Sequence, residues 1–336
     1  MKRHRSTQAS FTQPIAKVSN VEKSTQIGTT PKQSSYHRQS HPIIGSYRWI
    51  LSDVIPNNEQ AIRWSMDNNL IKKNRTCHKC NLPMHLTKTT KCSDGLVWRC
   101  QRQGHSVEKS IRTGSWFDNS NLTITEILEL TYWWSTGVDQ SVIIQQMGLS
   151  PNTAVDWDMF CREVCEVVIL TNSEPIGGEG IRVQIDESKF GKRKYHRGHR
   201  VEGQWVFGGI EEGSRKNFMV PVEKRDRNTL LPIIQRFIKP GTTIISDYWK
   251  AYDILSQKDY KHLKVNHSIE FVNESGDHTN KIEGHWRHAK VHLPAFGAKK
   301  YLFSSHLAEF MWRYQYKDEN LFLQFIKDAS TVYDGT

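Results

Sequence analysis

The spacing of apolar residues divides the chain into segments. From 121 to 170 apolar residues recur at helical intervals, first up to Gly137, then up to Gly148, and then in a third run that begins after Ser150. Glycine often follows the last turn of a helix, and serine followed by proline is typical of a helix start. The pattern therefore predicts three helices separated by short turns.

After a glycine-rich boundary at 171–180 the apolar residues are β-branched and alternate with polar ones. They predict strands at 181–186, 204–210 and 217–222, then a helix at 228–238 and a further strand that ends at Asp247. Three strands, a helix and another strand, followed by helical sequence, is the order of an RNase H-like fold. We therefore expect an α/β domain at 181–336, with a mixed sheet flanked by helices.

The N-terminal part of the chain is less regular. Residues 1–44 are rich in Ser, Thr, Gln and Lys with almost no apolar periodicity, which predicts a disordered basic and polar tail. Apolar residues at 57–72 recur at helical spacing, with Asn57 or Asn58 as the cap. This helix and a metal-binding ribbon would form a region at 45–118, and the three helices a second region at 119–172.

Four side chains between 77 and 105 have the spacing of zinc ligands. Cys77 and Cys80 form a CxxC knuckle, Cys100 lies at the end of an apolar strand, and His105 completes a CxxxxH string. Two thiolates on a tight turn and two further ligands on a hairpin fit a tetrahedral structural zinc site. The sequence therefore predicts a zinc ribbon that needs its metal to fold.

The cysteine count leaves one alternative ligand. Six Cys without a secretory signal indicate a reducing compartment, where cysteine clusters bind metal more often than they form disulfides. Cys92 competes with His105 for the fourth ligand position. The Asp94-Gly95 turn beside Cys92 favours a place for it in the hairpin loop.

Three acidic residues lie where a structural role is difficult to supply. Asp186 and Asp247 follow the buried runs that predict strands, and Glu283 lies in a segment with helical spacing. An Asp at the end of a buried strand is costly to desolvate unless it is paired or binds a cation. Carboxylates from two strand ends and one helix would suit Mg²⁺ or Mn²⁺. Loop or cap positions are the ordinary alternative for the two Asp residues.

Composition and charge point to a polyanionic partner. The 336 residues contain 46 Lys and Arg against 35 Asp and Glu, a formal net charge of +11. That balance favours nucleic acid, and the helix-turn-helix spacing of the three predicted helices would present Asn152 and Thr153 to a major groove. The mean hydropathy is −0.62. We expect no membrane association, because the chain lacks a long apolar run and an apolar signal segment.

The strings around the acids and the cysteines resemble those of a known family. DESKFGK after the first strand, SDYWKAY at the fourth and the string HTNKIEGHWRHAK are similar to the DDE transposases of the Merlin superfamily and their bacterial insertion-sequence relatives. WRC and IRTGSWF near the cysteines match as well. The similarity extends over roughly 45–325, and the HTN-IE-W-K string is its most specific part.

This resemblance implies an enzyme that binds the terminal inverted repeats of a mobile element and cuts and joins DNA with two Mg²⁺ or Mn²⁺ ions. Carried over by position, the catalytic residues and metal ligands are Asp186, Asp247 and Glu283, the last two separated by 36 positions. Asn280 is the competing third residue, since some bacterial relatives use Asn there.

Further expectations concern the DNA and the assembly. The basic segment after the first acid would hold DNA phosphates; its cations are Lys192, Arg193, Lys194, Arg197 and Arg200. Joining two element ends implies a homo-oligomer, and a eukaryotic chain of this kind would act in the nucleus. The alternative is a host-adopted, sequence-specific DNA-binding protein that has lost cleavage, against which three intact acids argue.

Overall fold

A computed structural model describes the chain at 42–102, 104–172, 174–191, 203–265, 279–293 and 302–333. Within these residues the chain forms a three-stranded sheet, a five-stranded sheet and the helices that pack on them. Residues 1–41 of the predicted tail and the five cations predicted to hold phosphates lie outside the described residues. Both of those predictions remain untested.

The described chain begins with helical turns. They are α1 (Tyr47–Trp49), a π-helical turn (Ile50–Val54) and α2 (Asn58–Asp67). The N-terminus of α2 is the predicted one, because the Asn57 side chain accepts a hydrogen bond from the backbone N–H of Gln60 at 2.9 Å. The helix is shorter than the apolar pattern at 57–72. Asn69 adopts a left-handed conformation with φ of 60°, which a continuing helix does not allow.

The predicted zinc ribbon corresponds to a three-stranded antiparallel sheet. Its strands, in the order β1-β2-β3, are β1 (His85–Lys88), β2 (Leu96–Arg102) and β3 (His105–Ser110). In the tight β2–β3 hairpin Arg102 pairs with His105. Gly104 lies at its tip with φ of +88°, a conformation that glycine adopts without strain. The hairpin thus brings the end of β2 and the start of β3 together.

A buried ion pair connects the ribbon to the helices that follow. Arg112 Nε and Nη2 donate to the two carboxylate oxygens of Asp94 at 2.7 and 2.6 Å. Arg112 Nη1 also donates to the backbone carbonyls of Ser120 and Leu122. The side chains of Arg112 and Asp94 are only 6% and 4% exposed. The turn before β2 is thereby fixed to the segment that enters the next helix.

The three helices predicted at 121–170 are present. They are α3 (Ile124–Ser135), α4 (Gln140–Met147) and α5 (Pro151–Asn172). Gly148 ends α4 in the left-handed conformation, and Ser150 Oγ accepts a hydrogen bond from the backbone N–H of Thr153 at the start of α5. Among the described residues no helix combines the length and the apolar character needed to cross a bilayer.

The C-terminal part is the predicted mixed α/β arrangement. Its elements are β4 (Arg182–Phe190), β5 (Gln204–Glu211), β6 (Asn217–Val222), α6 (Arg227–Phe237), β7 (Thr243–Asp247), a 3-10 helix (Lys250–Gln257), β8 (Lys261–Val265), α7 (Asn280–His292), α8 (Phe303–Gln315) and α9 (Leu321–Tyr333). The strand order is β6-β5-β4-β7-β8. β4, β5 and β6 pair antiparallel, whereas β4, β7 and β8 pair parallel.

Helices cover both faces of the five-stranded sheet. One face carries Val183 and Ile185 of β4 into a cluster with α6 and the 3-10 helix. The other face packs on α7 and α8. α8 and α9 also pack on α5, and α9 packs on α3. One hydrophobic cluster therefore continues from the ribbon through α3 and α5 to α9, so the regions predicted at 45–118, 119–172 and 181–336 share a core.

We expect Arg112→Ala to lower the free energy of unfolding by about 3–5 kcal/mol, because it leaves the buried Asp94 carboxylate unpaired. Denaturant unfolding of zinc-saturated protein measures this change. Arg99→Ala is the matched control in the same ribbon: its pair with Glu108 is more exposed to solvent, so the loss should be much smaller. Equal losses in the two variants would contradict a special role for the Arg112–Asp94 pair.

Candidate functional site

Four side chains of the ribbon converge on one point. Cys77 and Cys80 lie on the knuckle before β1, Cys100 on β2 and His105 at the start of β3, and one ligand atom from each lies within 4.8 Å of the others. The Cys80 and Cys100 sulfur atoms are 3.7 Å apart. His105 Nε2 lies 3.6 Å from Cys77 Sγ and 3.3 Å from Cys100 Sγ.

These separations fit a tetrahedral zinc ion. Zinc bonds of about 2.3 Å to sulfur and 2.0 Å to nitrogen would place the ligand atoms about 3.5–3.8 Å apart. Arg102 Nη1 donates to the sulfur atoms of Cys80 and Cys100, both at 3.2 Å, as expected beside thiolates. The backbone N–H of Leu82 lowers the pKa of Cys80 to about 6, whereas burial raises the pKa of Cys100 to about 11.

The alternative ligand Cys92 lies elsewhere. It is in the turn between β1 and β2, where its thiol donates to the backbone carbonyl of Leu96 at 3.6 Å. The metal-ligating group among the described residues does not include it. The predicted Asp94-Gly95 turn explains its position, since Gly95 adopts a positive φ there and closes the hairpin away from the knuckle.

The parallel pairing of β4 with β7 places two acids side by side. Val183 pairs with Ile244 and Gln184 with Ile245. Two residues further along each strand come Asp186 and Asp247. Asp247 ends β7 as predicted, whereas the prediction that the first strand ends at Asp186 is wrong, because pairing with β5 continues β4 to Phe190. Residues at even spacing on a strand share a face, so the two carboxylates lie on the same side of the sheet.

The helix α7 carries the third acid to the same strand. The indole N–H of Trp286 donates to Asp186 Oδ2 at 3.0 Å, one helical turn beyond Glu283. Ile282, Trp286 and Ala289 are buried and form the packing face of α7. Glu283 lies beside this face, and Thr279 Oγ1 donates to its carboxylate at 3.1 Å.

The competing residue Asn280 points in a different direction. At about 100° per residue, Glu283 lies roughly 100° around the helix from the packing face, whereas Asn280 lies roughly 160° from it. Both side chains are exposed, so this angle is what distinguishes them. Glu283 is therefore the better placed of the two to approach the carboxylates of the sheet.

The charges of the three acids interact. Burial is the main reason that the pKa of Asp186 rises to about 6, and the negative charges of Asp247 and Glu283 raise it further. Hydrogen bonds from the Glu187 backbone and from Trp286 act in the opposite direction. Crowded carboxylates of this kind favour a bound cation, and hard oxygen ligands suit Mg²⁺ or Mn²⁺.

A fourth acid lies directly behind the site, and the sequence reasoning missed it. The side chain of Glu187 is 3% exposed, and its carboxylate accepts a hydrogen bond from the Tyr252 hydroxyl. Burial, followed by the charges of Asp186 and Asp247, raises the pKa of Glu187 to about 8. As its neighbour in sequence, Glu187 points to the opposite face from Asp186. The sequence signal that could have revealed Glu187 is its place directly after Asp186 in the string DES.

Arg225 supplies positive charge to this opposite face. Its Nη1 lies 4.0 Å from Glu187 Oε2. Its guanidinium carbon lies 3.8 Å from the ring centre of Trp205 and 5.0 Å from that of Trp249. Trp249 follows the second acid closely, and its backbone N–H donates to Asp247 Oδ1. Arg225 thus connects β5, the end of β7 and the acid behind Asp186.

The predicted groove-reading residues Asn152 and Thr153 lie in the first turn of α5, in the expected place. The sequence from 113 to 161 contains no Lys or Arg and six acidic residues. The exposed side of α5 shows Val155, Met159 and Phe160. An apolar and acidic surface repels phosphates rather than binding them, so the charge does not favour DNA contact here.

The described chain is thus a mixed α/β protein with a possible zinc ribbon and a crowded carboxylate site. Residues 172–315, which include all three acids, match the ISXO2-like transposase domain. An uncharacterized transposase-like protein of Haemophilus influenzae is 37% identical over 100 residues, which cover 30% of this chain and 80% of that protein. The chain therefore belongs to the ISXO2-like family of insertion-sequence transposases.

Family membership confirms the predicted resemblance to insertion-sequence transposases and implies an enzyme that cleaves and transfers DNA. The narrower Merlin assignment stays a prediction. Among solved structures, the chain matches a cryo-EM structure of a simian T-cell lymphotropic virus intasome in complex with PP2A regulatory subunit B56 gamma. That match is 12% identical, covers 56% of this chain and 67% of the other, and has a TM-score of 0.26, too low to establish a common fold.

We expect the purified protein to hold about one zinc ion per chain, and Cys77→Ser or Cys100→Ser to lose it. Elemental analysis after removal of free metal measures the stoichiometry. Cys92→Ser is the matched control and keeps its zinc, because Cys92 lies outside the ligand group. Loss of zinc from Cys92→Ser with retention in Cys100→Ser would reverse the ligand assignment.

Proposed function

We propose that this protein is a DNA transposase that cleaves and joins DNA at terminal inverted repeats with Asp186, Asp247 and Glu283 as its DDE triad. The observation that carries the proposal is the parallel register of β4 and β7, which places Asp186 and Asp247 each two residues beyond the pair Gln184–Ile245. The helix with Glu283 contacts the same Asp186 through Trp286. Carboxylates from β4, β7 and α7 therefore lie on the same side of the sheet.

The sheet topology supports an RNase H-like assignment for this domain. The antiparallel strands β4, β5 and β6 are followed by a helix and by β7 and β8. Both of these run parallel to β4, with β7 paired to β4 and β8 paired to β7. Helices cover both faces. This is the element order that the apolar pattern predicted, extended by β8 and the C-terminal helices.

Two Mg²⁺ or Mn²⁺ ions would be held by the three triad carboxylates. When bound, such ions activate the attacking water or 3′-hydroxyl and stabilise charge on the leaving oxygen. The chain's own residues fix the carboxylates in advance: β4 and β7 set the two Asp residues, and Trp286 orients Asp186 by donating to one of its oxygens. The proposed reaction involves no covalent bond between protein and DNA.

The DNA surface that we propose is formed by the zinc ribbon and the edge of the sheet. From 72 to 112 the sequence has ten Lys and Arg against two acidic residues. Near the triad, Tyr248 beside Asp247 is 62% exposed. Cations bind phosphates and an exposed aromatic ring can stack on a base. The basic segment 192–200 follows β4 directly and would extend this surface.

Asp186→Asn and Asp247→Asn should each reduce cleavage of inverted-repeat DNA with Mg²⁺ by about 10³-fold or more, since each removes a charged ligand from the site. A gel-shift assay should show unchanged DNA binding. Asp318→Asn is the control, because Asp318 is an exposed acid in a surface pair with Arg215. Undiminished cleavage by either triad variant would refute the proposed site. A wild-type protein that binds the repeats without cutting them would favour the host-adopted alternative.

The third position is tested separately. Glu283→Gln should reduce cleavage by about 10²-fold or more, whereas Asn280→Ala should leave it close to the wild-type rate, because Asn280 points away from the sheet. Rates are measured on the same inverted-repeat duplex across a range of Mg²⁺ concentrations. Strong loss in Asn280→Ala together with normal cleavage by Glu283→Gln would transfer the third role to Asn280.

A further inference from the structure

A fully buried amide lies two residues before the first acid. Gln184 is on β4, on the same face as Asp186, and its side chain is inaccessible to solvent. Its Oε1 accepts hydrogen bonds from the backbone N–H groups of Lys281 and Ile282, each at 3.1 Å. Its Nε2 donates to Glu212 Oε1 at 2.6 Å. The amide is therefore fixed at both ends.

The two N–H groups belong to the first turn of α7, where a helix has no internal acceptors for them. A side chain at the N-cap position usually accepts one of these bonds. In α7 the N-cap residue Thr279 makes no such bond, and its hydroxyl donates to Glu283 instead. Gln184, almost a hundred positions earlier in the chain, takes over the capping function.

The residue spacing along β4 and along α7 lets Asp186 contact α7 while Gln184 caps the helix. Gln184 and Asp186 are about 6.6 Å apart along β4 at 3.3 Å per residue. The first turn of α7 and Trp286 are separated by four to five residues, or about 6–7.5 Å at 1.5 Å per residue. The two distances match, so Gln184 holds the start of α7 while Asp186 accepts from Trp286. Glu283 lies between these two contacts.

We propose that Gln184 is a positioning residue that sets where Glu283 stands relative to Asp186 and Asp247, and so sets the affinity of the site for divalent metal. This inference rests on the proposed function of the three acids. Glu212 holds the amide in the required orientation, and Arg182 in turn donates to Glu212 Oε2 at 2.8 Å. Because Nε2 of Gln184 is bound to the carboxylate of Glu212, the Oε1 atom of the amide faces α7.

Gln184→Asn tests the proposal, because it keeps the amide but withdraws it by one methylene from α7. We expect Mn²⁺ affinity to weaken by about 10–100-fold, the effect typical of losing an outer-shell partner of a metal ligand. Titration with Mn²⁺ in the absence of DNA measures affinity independently of cleavage. Gln204→Asn is the matched control. Gln204 is likewise a strand glutamine, whose Nε2 donates to the carbonyls of Trp205 and Val222, and its substitution should leave the Mn²⁺ affinity unchanged.

A double substitution restores the contacts with the roles exchanged. In Gln184→Glu with Glu212→Gln, the carboxylate at 184 still accepts from both α7 N–H groups and now also from the amide at 212, whose oxygen still accepts from Arg182. We expect Mn²⁺ affinity near the wild-type value. This variant keeps the capping contacts, so it tests the proposal even if Gln184→Asn does not fold.

Two results would overturn the inference: normal Mn²⁺ affinity in Gln184→Asn, or an affinity in the double variant about 10-fold or more below that of the wild type. A merely space-filling Gln184 would give the first result. Failure of the proposed function is distinguishable, because wild-type protein would then bind no Mn²⁺ at the site and cleave no inverted-repeat DNA. Wild-type cleavage with normal Gln184→Asn binding would refute only the positioning role.

Discussion

The parallel pairing of β4 with β7 is the constraint on which the rest of the site depends. It places Asp186 and Asp247 each two residues beyond the pair Gln184–Ile245, on the same side of the sheet, although their charges repel. Ile185, Ile244 and Ile245 next to them are fully buried. Burying each such side chain stabilises the fold by about 1.5–3 kcal/mol, which offsets the crowding of negative charge. Burial, and after it the charges of Asp247 and Glu283, raise the pKa of Asp186.

The third acid depends on more distant packing. α7 contacts β4 on one side and α8 on the other, where His285 packs against the ring of Tyr314. α8 in turn packs on α5, and its Arg313 donates to backbone carbonyls at the end of α3. The helices between ribbon and sheet therefore support the position of Glu283. These helices act on the site through packing, and this role requires no contact with DNA.

Most of the elements could be predicted from the sequence, because strand alternation, helix caps and glycine turns are local signals. The ligand spacing of Cys77, Cys80, Cys100 and His105 is also local, since one CxxC turn sets the first two and one hairpin sets the last two. β8 was missed because its short sequence, KHLKV, is half polar and owes its pairing to β7. Gln184 and Glu187 were missed because their partners lie 97 and 65 positions away, which no periodicity reveals.

The distribution of charge bears on whether the three helices α3, α4 and α5 can contact DNA. The net charge of +11 is not spread evenly: the ribbon carries ten basic residues at 72–112, and the helical stretch at 113–161 carries none. Arg162, the next cation, is buried and paired with Asp158 on the same helix. Phosphate binding requires accessible positive charge. The predicted helix-turn-helix spacing is therefore weak support for groove reading at Asn152 and Thr153, and the charge favours the ribbon for the proposed phosphate contacts.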